Sequence, residues 1–255
     1  MSDHSVYLYA IGDAAIADSE VLVDTTGVDA VAVHTLVEGP LAAVVASVDR
    51  DRFSEESIRT HLEDLEWLEK VARTHHEVVD RIARVHPIAP VRMATIYLDD
   101  AGVRQLLRDR AVELAATLDR VRGRSEWGVK GYAAPVETSA AEPAASASDA
   151  PGTSYLMRRR TERDRVARRR ERVAETAEKL HQEFAQLAAD SRVYPLQDPR
   201  LTGRREEMIL NVAYLVDEAG AAALAQRVDA ATGNELRLEL TGPWAPYSFT
   251  SLGES

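Results

Sequence analysis

AVAVHTLVEGPLAAVVASV, residues Ala30 to Val48, carries two runs of β-forming residues on either side of Glu38-Gly39-Pro40. Three turn residues between two such runs predict an antiparallel hairpin. In the second run, Leu41 to Val48, apolar residues occupy both alternating sets of positions, so this strand has no face to offer water and belongs in the middle of a sheet. Upstream, Ser5 to Ile11 (SVYLYAI) mixes aromatic and aliphatic β-formers until Gly12-Asp13 ends the pattern, which predicts a further strand.

Downstream, Ser54 followed by Glu55 and Glu56 has the form of an N-cap with acids in the first turn, where they suit the helix dipole. Apolar positions then recur every three to four residues from Ile58 to Val85, and Pro87 stops them. One long helix with one buried face is expected. Pro87 to Tyr97 (PIAPVRMATIY) reads as an edge or loop followed by a strand. Asp99-Asp100 opens a helix bearing Val103, Leu107, Leu114, Leu118 and Val121, with Gly123 as its C-cap. Ser125 to Ala133 (SEWGVKGYA) is a strand containing two glycines.

Residues 137–152 are small and polar with two prolines, too poor in apolar area to offset the entropy of ordering, and read as a flexible insertion. Residues 154–190 then predict a long Arg-rich helix. Val173, Ala177, Leu180, Phe184 and Leu187 form a seam along it at spacings of 4, 3, 4 and 3, a coiled-coil-like row that needs a partner helix or sheet. Met208 to Val216 is a strand, Asp217 to Thr232 a helix, and Glu235 to Thr241 a strand running into a Pro-rich tail. The expected fold is therefore α+β, with ferredoxin-like sheets in two domains, 1–123 and 124–255, and helices on one face of each.

Composition narrows the function. The 255 residues contain no cysteine, which removes thiol catalysis, disulfides and Cys-ligated metal sites. Lys and Arg number 31 against 42 Asp and Glu, a net charge of −11, so general wrapping of nucleic acid is disfavoured. The start of the chain lacks a basic, apolar signal segment, and no apolar run approaches the roughly 20 residues of a membrane span. A cytoplasmic protein is expected. A Walker A loop, a dinucleotide-binding glycine motif and a nucleophile elbow are all absent as patterns.

Thr74-His75-His76-Glu77 is the only histidine cluster, but it lacks the i, i+4 spacing of a helical zinc pair, so a structural role outweighs a metal-dependent hydrolase. Asp13, Asp18, Glu20 and Asp24 match no calcium loop and read as a solvated segment. The distinctive feature is Met157 to Arg172. Nine arginines, among them Arg158, Arg159, Arg160 and Arg163, less Glu162, Asp164 and Glu171 leave +6 there and −17 on the rest of the chain. Three readings stay open for it: a solvated helix face with i, i+3 and i, i+4 ion pairs, a surface for an acidic partner, or a nucleic-acid site. The run has no interleaved aromatics on which bases could stack, which weakens the last.

Taken together, VYLYAI, Val78 to Tyr97, WGVKGY, SYLMRRR, LNVAYLVD and LTGPWAPYSF resemble the gas vesicle protein F/L family nearly end to end. One departure is APVRMAT, where Met93-Ala94 replaces an aromatic-Gly pair. The resemblance implies a two-domain α+β accessory protein of gas vesicle assembly without known catalytic activity, and neither cofactor nor metal is expected. It implies binding to the hydrophobic shell protein, limiting its aggregation during nucleation, contact with other accessory proteins, and a place as a minor vesicle component. Arg158, Arg159, Arg160, Arg163, Trp244, Tyr247 and Phe249 are the candidate partner contacts; Trp127, Gly128, Gly131 and Tyr132 are expected to fix a strand and its packing. Whether the chain is an F-type or L-type member, and its oligomeric state, stay open.

Overall fold

The computed structural model describes residues 4–61, 63–133, 151–198, 203–204, 206–233 and 236–250, with the side chains of 151–156 and 158 excepted. The chain forms two compact units, Met1–Glu126 together with Gly242–Ser255, and Trp127–Thr241.

In the first unit β1 (His4–Asp13), β2 (Val33–Glu38), β3 (Leu41–Asp49), β4 (Ile88–Pro90) and β5 (Ile96–Tyr97) make an antiparallel sheet of order β2-β3-β1-β4, with β5 also paired to β1. The hairpin read from Ala30 to Val48 is β2-β3, and Gly39 takes its turn at φ 58°. Along β3 the faces alternate strictly. Ala42, Val44, Ala46 and Val48 join one core with Tyr7, Tyr9 and Ile82, whereas Leu41, Ala43 and Val45 join another with Leu8, Ile11, Leu107 and Leu118. Helix α2 (Leu65–Ala83) covers the first face; α3 (Asp100–Asp109) and α4 (Ala111–Val121) cover the second. Helices on one face only, the arrangement expected for this half, would leave one of those apolar sets in water. Burial of both faces forces three layers.

Both long helices expected in this unit are broken. The first divides into α1 (Glu55–His61) and α2, because the Asp64 carboxylate accepts hydrogen bonds from the amides of Glu66 and Trp67 and starts a new helix. The second breaks at Arg110, whose φ of −110° and ψ of 19° are not helical. The acidic stretch after β1 is a series of short 3-10 turns around buried Ile16, and Asp13 meets Arg122 at 3.0 Å.

The second unit runs β6 (Ser125–Ala133), α5 (Pro151–Ala185), β7 (Asp190–Val193), β8 (Glu207–Val216), α6 (Glu218–Ala231) and β9 (Leu236–Trp244), with β6 beginning and β9 ending in the first unit. The sheet order β7-β8-β6-β9 is that of the ferredoxin-like β-α-β-β-α-β unit. Leu180 and Phe184 of α5 and Leu224 and Val228 of α6 share one core with Val129, Val212 and Tyr214. Helix α5 stops at Ala185, short of the expected 190, because Asp190 to Val193 pair with β8 as an edge strand. The insertion expected at 137–152 lies outside the described residues up to 150; 151 and 152 are the first residues of α5.

Ala94 explains what the Met93-Ala94 departure does. It sits at φ 62°, in the region where a Cβ is strained, while its amide donates to the Tyr7 hydroxyl at 3.0 Å. Glycine would relieve that strain at the expense of a more flexible unfolded chain. Ala94→Gly is expected to stabilise the first unit by about 0.5–1 kcal/mol and raise its midpoint by a few degrees in calorimetry.

Candidate interaction surfaces

The Arg-rich part of α5 is a helix, as its composition allows, since arginine is a good helix former. From Arg159 to Arg165 the helix is exposed on every side, Val166 and Arg169 are half-buried, and full burial begins at Val173. The seam read from the sequence is the buried row: Val173, Ala177, Leu180 and Phe184 lie inside and Leu187 packs at its end. Followed toward the N-terminus at helical spacing, that row becomes Arg170, Val166, Arg163 and Arg159. Thus one helix face changes from apolar to cationic along its length. Arg159, Arg160 and Arg163 stand on the exposed part; the side chain of Arg158 lies outside the described residues. Beside the change-over, Val166, Val173, Leu196, Met208 and Ile209 line a groove of about 290 Å³ between α5 and β8, with Arg169, Arg170 and Glu207 among its walls.

The C-terminal aromatics separate into two kinds. Ala245 is part of the α2 core and Tyr247 packs against it. Burial pushes the Tyr247 phenol up, and the carboxylates of Asp80 and Glu126 add to the effect. Phe249 is 4% exposed, and its carbonyl accepts from the Arg120 guanidinium. Ser248 donates its amide to Glu126 at 2.8 Å, and the Thr250 hydroxyl donates to Pro90 O at 3.1 Å. These contacts fasten the tail onto the first unit, so Tyr247 and Phe249 are anchors in this structure. Trp244, at 44% exposed and 5.6 Å from the His76 ring, is the one of the three that faces outward.

The SEWGVKGYA strand is held by close approach. A Cβ on Gly131 would fall 2.9 Å from Leu210 Cβ, so this position requires glycine for the neighbouring strand to fit; one on Gly128 would fall 2.8 Å from Thr241 Oγ1, a hydroxyl that would have to turn away. Trp127 packs on the second-unit core. Tyr132 lies beneath two guanidinium groups, Arg204 at 4.6 Å and Arg237 at 5.3 Å from its ring centroid.

His75 is buried beneath the first sheet. Its Nδ1 lies 3.0 Å from the Tyr7 hydroxyl and its Nε2 3.2 Å from Val91 O, which suits a neutral ring protonated on Nε2 that accepts from Tyr7. Tyr9 stacks on it at 5.5 Å, and its own hydroxyl accepts from the Val28 amide at 2.7 Å. His76 points elsewhere, toward Trp244. Among the described residues no three His, Asp or Glu side chains come together in a way that could hold a metal ion. Nor is any described helix long and apolar enough to cross a membrane.

Fold and surfaces together define a class: an α+β protein of two sheet-based units that displays a cationic helix. The particular family follows from comparison with known proteins. The family model described as Gas vesicle synthesis protein GvpL/GvpF matches residues 5–251, and the chain belongs to that family. Gas vesicle protein L of Streptomyces sp. strain CB03234 is 41% identical over 221 residues, covering 86% of this chain and 83% of its own. Gas vesicle protein L1 of Halobacterium salinarum is 28% identical over 261 residues, covering 95% and 89%. Among solved structures, the gas vesicle protein GvpF from Anabaena sp. PCC7120 superposes with a TM-score of 0.69 at 17% identity, covering 98% of each chain. The GvpF of Microcystis aeruginosa does so at 0.67 and 18% identity, covering 97% and 99%. The protein is therefore gas vesicle-related and associated with other gas vesicle proteins, in a family not known for enzymes.

The groove was not legible in the sequence, although Val166 stands seven residues before Val173 and so extends the seam by one heptad. Leu196 and Ile209 come from a distant connection and strand, and only the tertiary fold brings them beside it.

Phe249→Ala removes a buried anchor and should cost about 3 kcal/mol in urea unfolding, against less than about 1 kcal/mol for Trp244→Ala. Burial holds the His75 imidazole down at about 4, from an ordinary 6.5. The unfolded chain therefore binds the proton first as pH falls below 6.5, and native stability declines between pH 6.5 and 4. The first unit should be about 2 kcal/mol less stable at pH 5 than at pH 7 through this group, and His75→Gln should remove that share of the pH dependence in denaturant titrations.

Proposed function

We propose that this protein is a non-enzymatic assembly factor of gas vesicles that binds the small hydrophobic shell protein in the cytoplasm and limits its aggregation during nucleation. Membership of the GvpL/GvpF family over nearly the whole chain carries this reading. The physical features suit it. A protein that restrains an aggregating client must itself stay soluble, and a net charge of −11 favours that. It also needs accessible apolar and charged surface, and the groove beside α5, with Leu196 exposed at its mouth, and the arginines of α5 supply them. The other accessory proteins of the vesicle are the further partners, and the exposed arginines Arg159, Arg160 and Arg163, with Trp244, are the contacts assigned to them. A place for the protein as a minor component of the finished vesicle belongs to the same proposal.

The test is co-purification of the tagged full-length chain with the shell protein of its own gas vesicle cluster, with turbidity recording the aggregation of that shell protein. Co-purification with turbidity reduced at least severalfold at equimolar ratio is the expected result. A shell protein that neither co-purifies nor stays clear in its presence would refute the assignment.

A further inference from the structure

The basic half of α5 and the groove beside it form one continuous surface, and their chemistries describe a single kind of ligand. The floor is aliphatic: Val166, Val173, Leu196, Met208 and Ile209. Leu196 is 55% exposed although it belongs to this floor, so a large apolar side chain is left in water at the mouth. At about 290 Å³ the groove is at the lower limit, about 300 Å³, of pockets that take small molecules. It suits a few side chains of a docked segment better than a large ligand.

The rim is cationic. Arg170 is in the wall, and Arg163 and Arg159 continue the same helix row beyond Val166. Glu207 lies 3.5 Å from Arg170 Nε, in a pair whose side chains are both more than half exposed. Such an exposed pair contributes little, so a ligand carboxylate can replace it without a large loss. Net charge along 157–172 is +6 on a chain that is otherwise −17, so the positive potential is concentrated where the groove opens.

We infer that this groove docks an acidic amphipathic helical segment of a partner protein, whose aliphatic side chains enter between α5 and β8 and whose flanking carboxylates pair with Arg163 and Arg170. Charge complementarity selects the occupant: the apolar side chains along one face of an amphipathic helix suit the floor, and acids beside them suit the rim. The inference rests on the reading of the chain as a protein that holds other proteins, and it adds where and by what chemistry one of them is held. Nucleic acid fits the rim but not the aliphatic floor.

The experiment uses the full-length protein and a fluorescein-labelled synthetic helix of about 18 residues, five turns, with leucines at i, i+3, i+4 and i+7 and glutamates flanking them, followed by anisotropy. Control peptides carry Lys for Glu or Ser for Leu. Binding that weakens with salt is expected, at least about tenfold weaker for Leu196→Glu and about threefold weaker for Arg163→Glu. Both control peptides should fail to bind. Leu196 and Arg163 are exposed, and circular dichroism checks that both variants remain folded.

Peptide binding unaffected by Leu196→Glu, or equal binding of the Ser-for-Leu peptide, would overturn the inference, because only the rim would then be at work. An RNA oligomer that displaces the peptide yet ignores Leu196→Glu would overturn it in the same way. So would a concentration-dependent dimer that dissociates on Leu196→Glu without any peptide binding, since the occupant would then be a second copy. If the peptide fails while the shell protein still co-purifies, the groove assignment falls and the proposed function stands. Peptide binding without co-purification upholds the groove and removes the function.

Discussion

β3 is apolar on both faces, and most of the first unit is a response to that fact. A strand with Ala42, Val44 and Ala46 on one side and Leu41, Ala43 and Val45 on the other has no orientation that water tolerates. The sheet around it must be covered twice, by α2 on one side and by α3 and α4 on the other. The same requirement places two tyrosines of the adjacent β1 in the core, where each hydroxyl must find a partner. Tyr7 joins His75 and the Ala94 amide; Tyr9 takes the Val28 amide. These bonds tie the loop before β2 and the connection between β4 and β5 to the sheet. Even the strained backbone at Ala94 is one end of such a bond.

The second unit solves the simpler problem with the same parts. Its ferredoxin-like sheet sets α5 and α6 over one core, and a tyrosine-histidine pair recurs there, Tyr214 with His181 at 2.9 Å. Yet α5 is longer than the sheet can cover. Its C-terminal half is buried through Val173 to Phe184, while Arg159 to Arg165 are left in solvent. A helix of this composition stays ordered there because arginine favours helices.

Periodicity made legible whatever depended on neighbours in the chain. The hairpin at Ala30 to Val48, strand β6 at Ser125 to Ala133 and the α5 seam all stand where alternation or heptad spacing placed them. What the sequence hid was decided at short range by single side chains or at long range by the fold. Asp64 divides a helix whose apolar period runs on past it, and Arg110 does the same by its backbone angles, so a window that counts only hydrophobicity sees neither break. Four residues, Asp190 to Val193, become a strand only because β8 offers them hydrogen bonds. The arginine run was plain in the sequence, but its function-bearing context was not, since Leu196 and Ile209 reach Val166 only through tertiary packing. In the tail, a burial that composition cannot assign divides Phe249 and Tyr247 from Trp244.

The first unit is assembled from both ends of the chain, with Ala245, Tyr247 and Phe249 contributed after the whole of the second unit. On the ribosome this sets an order. Residues 127–241 are contiguous and are all made once β9 emerges, whereas the α2 core of the unit translated first still lacks Ala245 until residues 242–250 are made. The N-terminal half is thus the last to be completed. Until then its α2 face, and the Glu126 carboxylate that Ser248 later meets, remain open to whatever else the nascent chain encounters.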